Sequence, residues 1–148
     1  MNKNIINIAL ASDHAGFPLK TKVKEFLQET GIEVNDFGTH SEESTDYADY
    51  VHPLAKSVEA KENTFGIVIC GSGNGVNITA NKHQQIRSAL CWNVEIASLA
   101  RRHNDANVLA MAGRFIDTET AISIVETFLS TEFEGGRHTR RVNKIPCL

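Results

Sequence analysis

The sequence predicts an α/β fold in which helices cover both faces of a parallel sheet of about five strands. Apolar, β-rich runs alternate along the chain with amphipathic segments of helical period, which is the pattern of right-handed strand–helix–strand units. The first run, residues 5–11 (IINIALA), is apolar almost throughout, as expected for a strand buried on both faces. The chain has 148 residues, of which 41% are hydrophobic and 22% are charged, a composition typical of one soluble globular domain.

The first half of the chain contains three predicted strands, at residues 5–11, 32–38 and 65–71. A helix is expected to begin near Pro18, because proline is favoured in a first helical turn, and to end at Gly31. A polar loop over residues 39–50 leads to a second helix, with Pro53 near its first turn. The alternation of strand and helix therefore begins at the N-terminal end of the chain.

The second half repeats this alternation. A short helix is expected after the glycine loop that follows the third strand, and then come strands at 86–92 and 106–113 with a helix at 93–104 between them. Asp117 and Thr118 can cap the next helix. The tail, about residues 133–148, has a glycine hinge and then basic residues. Because no repeat or linker interrupts the pattern, one domain over residues 1–148 is expected.

Composition and cysteine usage argue against several classes of protein. The net charge of −3 argues against a general nucleic-acid partner, and no apolar run approaches the ~20 residues that a membrane span needs. The N-terminal apolar segment is interrupted by Asp13 and His14 too early for a signal peptide. Cys70, Cys91 and Cys147 form an odd, widely spaced set without a CxxC pair. Free thiols and a cytoplasmic location are therefore expected, with Cys91 in the core and Cys147 in the tail.

Short polar motifs follow three of the predicted strands at the point where each strand ends. SDH (12–14) follows the first strand, CGSGNG (70–75) follows the third, and AGR (112–114) follows the fifth. Ligands of open parallel sheets bind beyond the carboxyl ends of the strands. We therefore expect the three motifs to lie at one functional end of the sheet.

The glycine loop favours anion binding without being a complete nucleotide motif. A P-loop needs Lys and then Ser or Thr after its last glycine, where this chain has Val76 and Asn77, and a dinucleotide fingerprint would need glycine at position 76. Gly71, Gly73 and Gly75 still allow the backbone to turn its N–H groups toward an anion, beside a helix N-terminus. A tight turn without a ligand is the alternative interpretation.

Cys70 ends the third strand directly before this loop, and two interpretations are open. It is either a small core residue or a thiol placed beside free backbone amides and a helix N-terminus, where the reactive thiolate forms more readily. The residues alone leave the two interpretations about equal.

Other polar residues carry similar pairs of interpretations. Asp13 either caps a helix or orients an acid–base group beside His14, and His103 is either a partner of the helix dipole or a catalyst. Arg137 and Arg141 lie four positions apart, so they form either a solvated basic helix face or a phosphate clamp. The remaining histidines show no metal-ligand spacing, and no metal site is predicted.

Taken together, these motifs resemble the type B ribose-5-phosphate isomerases, a family grouped with allose-6-phosphate isomerases and the galactose-6-phosphate isomerase subunits. The resemblance covers essentially the whole chain, through SDHAGFPLK, DFGT, TDYADY, ICGSGNGVNITANK, IRSALC, RRHNDANVLA, GR and EGGRHTRRV. It implies a Rossmann-like three-layer α/β/α sandwich that forms a dimer, with active sites built from both subunits. It also implies aldose–ketose isomerisation of D-ribose 5-phosphate through a cis-enediolate, without a metal ion or cofactor.

The resemblance assigns roles to individual positions. Cys70 matches the base that moves a proton between C1 and C2 of the open-chain sugar, Ser72 matches a residue that contacts the reacting oxygens, and His103 matches the histidine that assists ring opening. The loop amides match those that stabilise the enediolate, and the two tail arginines match residues on the phosphate. The substrate-binding positions of the family match Asp13, His14, Tyr47, Gly71, Gly73, Asn74, Gly75, Asn104, Arg114, Arg137 and Arg141.

A local difference assigns the chain to one branch of this family. Some members lack the cysteine and carry a glutamate base directly after GNG, where this chain has Val76. The retained catalytic set favours a self-sufficient homodimer or a tetramer of dimers, with SDH, RRHND and GGRHTRR placed where one small phosphosugar meets all of them. A 6-phosphohexose isomerase and a non-catalytic phosphosugar- or nucleotide-binding module are the alternatives. Pentose phosphate metabolism and rare-sugar catabolism both fit as pathways.

Overall fold

The computed structural model describes residues 6–147. Residues 1–5, which include the start of the first predicted strand, and Leu148 lie outside the described residues. The strands are β1 (Asn7–Ser12), β2 (Glu33–Asp36), β3 (Phe65–Cys70), β4 (Ser88–Leu90) and β5 (Val108–Ala112). The helices are α1 (Phe17–Glu29), α2 (Ala48–Glu59), α3 (Asn74–Ala80), α4 (Val94–Asn104), α5 (Thr118–Ser130) and α6 (Arg137–Val142).

All strand pairs are parallel, and the strand order is β2-β1-β3-β5-β4. The register pairs Ile8 with Phe65 near the start of two strands, and Cys70 with Ala112 at the end of two strands. The sheet therefore has an amino end, where the strands begin, and a carboxyl end, where they stop. The chain leaves β1 toward one side of the sheet and β3 toward the other, so the crevice favoured by ligands lies between β1 and β3.

Helices cover both faces of this sheet, which confirms the predicted three-layer α/β/α sandwich. Ile67 and Ile69 of β3 belong to the buried cluster formed with α1, α4 and α5. Val68 and Cys70 belong to the cluster formed with α2 and α3. Successive side chains of β3 thus enter opposite layers, as the two-residue period of a strand requires.

Local start and stop signals decide most of the element boundaries. Gly31 follows α1 with a φ of +80°, and Asp117 caps α5 by accepting a hydrogen bond from a first-turn amide, as predicted. β4 is shorter than the predicted residues 86–92. Asn93 ends this segment, because its side chain accepts a hydrogen bond of 2.8 Å from the Ile96 amide and starts α4.

The predicted start of the second helix is wrong. α2 begins at Ala48, because the Tyr47 carbonyl already accepts a hydrogen bond of 3.1 Å from the Val51 amide. Pro53 therefore lies inside the helix rather than near its first turn. The polar loop before α2 is correspondingly shorter than predicted.

Two expectations about the cysteines are confirmed. Cys91 is buried in the core, and burial raises the pKa of its thiol to about 12, while Cys147 is exposed in the tail.

No helix within residues 6–147 combines the length and apolar character that a bilayer crossing requires.

Candidate active site

The carboxyl ends of β1 and β3 lie side by side and carry the first part of the candidate site. The amide of Asp13 donates a hydrogen bond of 3.4 Å to the carbonyl of Ile69. Asp13 is 7% exposed, and its Oδ1 accepts a hydrogen bond of 3.0 Å from the Gly16 amide. The carboxylate therefore closes the turn that leads into α1 and remains at the crevice between the two strands.

His14 connects this turn to the polar loop that precedes α2. Its Nδ1 accepts a hydrogen bond of 3.2 Å from the Thr45 amide. An imidazole that accepts at Nδ1 carries its hydrogen on Nε2 when it is neutral. Nε2 of His14 is therefore a hydrogen-bond donor.

A buried lysine anchors the same end of the sheet. Nζ of Lys20 lies 2.5 Å from Oδ1 of Asp36, at the end of β2, and donates to the Thr39 carbonyl at 2.6 Å. Lys20 is 1% exposed, and burial lowers its pKa although Asp36 acts in the opposite direction. Burial alone would raise the pKa of Asp36, but hydrogen bonds from Lys20 and Gly38, and a further one from Lys24, lower it.

Cys70 is the last residue of β3 and is 5% exposed. Its side chain packs in the apolar cluster with Val68 and Val76, and its carbonyl accepts a hydrogen bond of 2.8 Å from the Gly113 amide. The packing is that of a core residue, whereas the position is directly before the glycine loop. A thiol at this position is held firmly, because backbone pairing fixes the strand end that carries it.

The glycine loop is enclosed by two of the predicted binding residues. A methyl group at Gly75 would lie 2.5 Å from the Tyr47 ring, and one at Gly71 would lie 3.4 Å from Cδ of Arg114. Gly73 has a φ of +77°, a conformation that favours glycine. We call the predicted residues gathered here the first half-site: Asp13, His14, Tyr47, Cys70, Gly71, Ser72, Gly73, Asn74, Gly75 and Arg114.

Ser72 and Asn74 form the exposed rim of the loop. The Ser72 hydroxyl accepts a hydrogen bond of 3.3 Å from the Asn74 amide. A ligand that used this amide would therefore displace the hydroxyl, which could then contact the ligand itself.

The remaining predicted residues lie toward the opposite end of the sheet. His103 and Asn104 end α4, and the guanidinium of Arg101 in the same turn lies 4.8 Å from the ring centroid of Phe65, the first residue of β3. Cys70 is the last residue of β3, and five steps of about 3.3 Å separate the two strand ends by roughly 16 Å. Within one chain, therefore, His103 is not brought against Cys70.

The basic tail joins His103 at this end. The rings of His103 and His138 stack with centroids 4.2 Å apart and an interplanar angle of 13°. Burial lowers the pKa of His138, and the nearby charges of His103, Arg137 and Arg141 lower it further. Both arginines are exposed on α6, the helix that their spacing predicts. We call His103, Asn104, Arg137 and Arg141 the second half-site.

Two neighbours of His103 were not singled out from the sequence. Oε1 of Glu134 lies 3.4 Å from Nε2 of His103 and 3.7 Å from Nε2 of His138. The spacing of four between Glu134 and His138 was an available signal, but the glycines between them concealed it. Within residues 6–147, these three residues are the group that could hold a metal ion, and the absence of a metal site stays a prediction.

A buried arginine anchors the amino end as Lys20 anchors the carboxyl end. Arg101 is 7% exposed. Its Nη1 donates to Oδ1 of Asp105 at 2.9 Å and to the Ala106 carbonyl at 2.5 Å, and its Nε donates to the Thr131 carbonyl at 3.1 Å. These bonds join the end of α4 to the segment that leads into the tail.

A groove of about 380 Å³ opens beside β4 at this end of the sheet. Asn104 lines it together with Arg87, Ser88 and the tail residues Ile145 and Pro146, whereas Cys70 is not part of the lining. The second half-site therefore borders a concave surface that the first half-site does not reach.

Comparisons with known proteins agree in sequence and in structure. The model of the Ribose/Galactose Isomerase family matches residues 8–145. A crystal structure of a ribose 5-phosphate isomerase from Thermotoga maritima has a TM-score of 0.95 and 53% identity, over 97% of this chain and 99% of that chain. Ribose-5-phosphate isomerase B of Escherichia coli is 45% identical over 141 residues, covering 95% of each chain. Ribose-5-phosphate isomerase B from Mycoplasma genitalium, solved with bound ribulose-5-phosphate, has a TM-score of 0.90 and 41% identity, over 95% of this chain and 93% of that chain.

Proposed function

The chain belongs to the Ribose/Galactose Isomerase family and is a sugar-phosphate isomerase, and we propose that it interconverts D-ribose 5-phosphate and D-ribulose 5-phosphate. The substrate assignment rests on the similarity, over nearly the whole chain, to a relative whose structure contains ribulose-5-phosphate. The two half-sites together offer the groups that an aldose–ketose isomerisation needs, which are a base, donors for an oxyanion and a phosphate clamp.

Cys70 is the proposed base of the proton transfer. Its thiolate takes the proton from C2 of the open-chain aldose, the C–H electron pair becomes the C1–C2 double bond, and the carbonyl electrons move onto O1. The proton returns to C1 while the O2 proton passes to O1, and C2 becomes the carbonyl carbon. No electrons leave the sugar. Val76 occupies the position of the alternative glutamate base, which leaves the thiol as the candidate.

The glycine loop is the proposed stabiliser of the enediolate. Gly71, Gly73 and Gly75 let the loop amides approach the developing negative charge closely. Ser72 reaches the same oxygens from the rim, and Nε2 of His14 is a further donor because Nδ1 is already occupied by the Thr45 amide. The remaining members of the first half-site hold the sugar hydroxyl groups: Asp13, Tyr47, Asn74 and Arg114.

The second half-site is proposed to open the sugar ring and to hold the phosphate. His103, with Asn104 beside it, transfers the protons of ring opening. Arg137 and Arg141 lie four apart on α6, so both guanidinium groups can bind the same phosphate. This remote binding orients C1 and C2 at the base.

We infer that the working unit contains two copies of the chain. The half-sites lie toward opposite ends of a strand roughly 16 Å long, so the first half-site of one copy has to meet the second half-site of another. Trp92, Val94 and Phe115 follow the carboxyl ends of β4 and β5 and are 57%, 42% and 78% exposed, and such an apolar surface is typical of an interface. A homodimer is the smallest closed assembly of this kind, and a tetramer of dimers contains the same sites. A cytoplasmic location suits the proposal, because the base has to stay a reduced thiol.

A substrate panel followed by NMR in D₂O tests the proposed function. The protein should convert ribose 5-phosphate with a higher kcat/KM than allose 6-phosphate or galactose 6-phosphate. Solvent deuterium should appear at C1 of ribulose 5-phosphate and at C2 of ribose 5-phosphate. A higher kcat/KM for a six-carbon sugar would change the assigned substrate but not the proposed type of reaction. Saturable binding without conversion or deuterium incorporation would instead identify a non-catalytic phosphosugar-binding module.

A further inference from the structure

The second half-site contains a compact group of acid–base residues from three segments. His103 lies in the last turn of α4, Glu134 lies in the segment before α6, and His138 lies on α6. One oxygen of Glu134 is within 3.4 Å and 3.7 Å of the Nε2 atoms of the two histidines, whose rings stack. Nothing in the proposed reaction so far uses the carboxylate.

The geometry of this group suits a shared proton better than a metal ion. A ring nitrogen binds a metal in the plane of its own ring, and the two ring planes are nearly parallel, at 13°. One ion therefore cannot lie in both ring planes. Arg102 pairs with the other oxygen of Glu134 at 3.3 Å, and Arg137 and Arg141 add positive charge around His138, which disfavours a divalent cation.

We propose that Glu134 is a positioning residue for His103, orienting the imidazole and stabilising its protonated form while the ring of the bound sugar opens. This inference rests on the proposed ring-opening role of His103 and adds a residue that this role requires.

Ring opening passes through a protonated imidazole, and this is the form that the Glu134 carboxylate can stabilise. The C1–O4 bond of the furanose breaks, its electron pair stays on O4 and a proton joins O4, while O1 loses a proton and becomes the carbonyl oxygen. An imidazole that accepts one proton before it donates another passes through the imidazolium form. A carboxylate 3.4 Å away stabilises that form.

The surrounding charges make this stabilisation necessary. Glu134 from the connecting segment contacts both histidines, Arg137 and Arg141 from α6 act on His138, and Arg102 from α4 pairs with the other oxygen of Glu134. The tail arginines are needed for the phosphate and oppose an imidazolium beside them. Glu134 offsets this effect without neutralising the clamp, because it contacts the histidines and Arg102 rather than Arg137 or Arg141.

Glu134→Gln separates ring opening from proton transfer. Conversion of ribose 5-phosphate, which is cyclic, should fall by about 10- to 100-fold, up to the lower limit of the range for acid–base catalysis, because Glu134 acts through His103 and does not itself transfer the proton. Ribulose 5-phosphate carries its phosphate on the C5 oxygen and cannot close a furanose ring. Exchange of its C1 hydrogen with D₂O should therefore stay near the wild-type rate.

Matched variants distinguish a positioning role of Glu134 from a general disruption of the structure. Glu132→Gln removes an exposed carboxylate from the same segment and should leave conversion unchanged. Glu134→Asp should recover part of the lost rate. In a His103→Gln background, Glu134→Gln should add little further loss, because one residue acts through the other. Equal loss of conversion and of C1 exchange would overturn the proposal, and so would full additivity with His103→Gln.

An NMR titration tests the coupling without any substrate. The carboxylate of Glu134 raises the pKa of His138 against burial and the neighbouring cations, so Glu134→Gln should lower that pKa further. An unchanged His138 titration would overturn the proposal even if activity fell. If the wild-type protein converts no ribose 5-phosphate, the proposed function fails, and the titration still decides whether Glu134 acts on the imidazole pair.

Discussion

The two half-sites differ in what holds their side chains. Cys70 ends a paired strand and is 5% exposed, and Asp13 directly follows another and is 7% exposed. Arg137 and Arg141 lie on a short terminal helix and are exposed, and the His103 side chain is 35% exposed. A base must meet a carbon-bound proton within a narrow distance, so a position fixed by backbone pairing suits it. A phosphate is held by charge over a longer range, so flexible surface side chains suffice.

The two half-sites also have different buried anchors. Lys20 joins α1 to the end of β2 through Asp36 and Thr39, whereas Arg101 joins the end of α4 to the segment before the tail. Each half-site therefore depends on one buried cation at its own end of the sheet. Changes in the first half-site should act mainly on turnover, and changes in the second should act mainly on binding and ring opening.

The largest expected effect is that of Cys70→Ala. Loss of the base should lower kcat by about 10³-fold, within the range for acid–base catalysis, while ribose 5-phosphate binding largely survives. Steady-state kinetics and calorimetry measure the two quantities. Cys91→Ala is the matched control, because Cys91 is 1% exposed in the opposite core cluster and should leave kcat intact. Near-normal turnover of Cys70→Ala would show that the thiol is not the base.

Mixed dimers test whether the half-sites meet across two copies. Cys70→Ala and His103→Ala should each be nearly inactive alone. After the two are unfolded and refolded together, half of the dimers combine both chains and hold one intact site each, so roughly a quarter of the wild-type activity should return. Cys70→Ala refolded with itself is the control. No recovery from the mixture would indicate that each site is built within one chain.

Arg141→Ala should act on binding. A charge-assisted hydrogen bond contributes about 1.5–3 kcal/mol, so KM should rise by roughly 10- to 100-fold with a smaller change in kcat. Arg140→Ala, the exposed neighbour on α6, should change KM little. If KM is unchanged in Arg141→Ala, or rises equally in both variants, the clamp assignment is wrong.

Asp36→Asn should act mainly on stability, with a defined pH dependence. It leaves Lys20 buried without its carboxylate, which should lower the free energy of unfolding at pH 7 by about 3 kcal/mol. The pKa of Asp36 is lowered in the folded chain. Its contribution is therefore fully present above the unfolded value of about 4 and is lost as the pH falls through the lower folded value. Urea unfolding should show that wild type and variant converge toward acid pH.

Glu33→Gln, an exposed change on the same strand, controls for charge removal. A stability difference between Asp36→Asn and wild type that stayed constant from pH 7 to acid pH would contradict a paired carboxylate at this position.

Local signals in the sequence were sufficient for the sheet and for most helix boundaries, and they placed the strand-end motifs of the first half-site, whereas the binding role of Tyr47 came from the family resemblance. Gly31 marks a helix boundary through its backbone conformation and Asp117 through its side-chain cap, while Asp13 follows one run that is recognisable as a strand and Cys70 ends another. The location of His103 could also have been predicted. A helix between parallel strands runs back along the sheet, so the end of α4 has to lie at the amino end. The grouping of SDH, RRHND and GGRHTRR around one phosphosugar did not use this direction.

The sequence by itself determined the fold class, the end of the sheet at which the motifs SDH, CGSGNG and AGR lie, and the residue types available for chemistry. These properties depend on neighbours a few positions apart, through strand period, helix capping and turns. Only the tertiary structure decided that the Thr45 amide contacts His14, that Lys20 is buried against Asp36, and that Glu134 lies beside the stacked rings of His103 and His138. Those contacts join segments far apart in the chain, and they form because packing of the helices against the sheet brings the segments together.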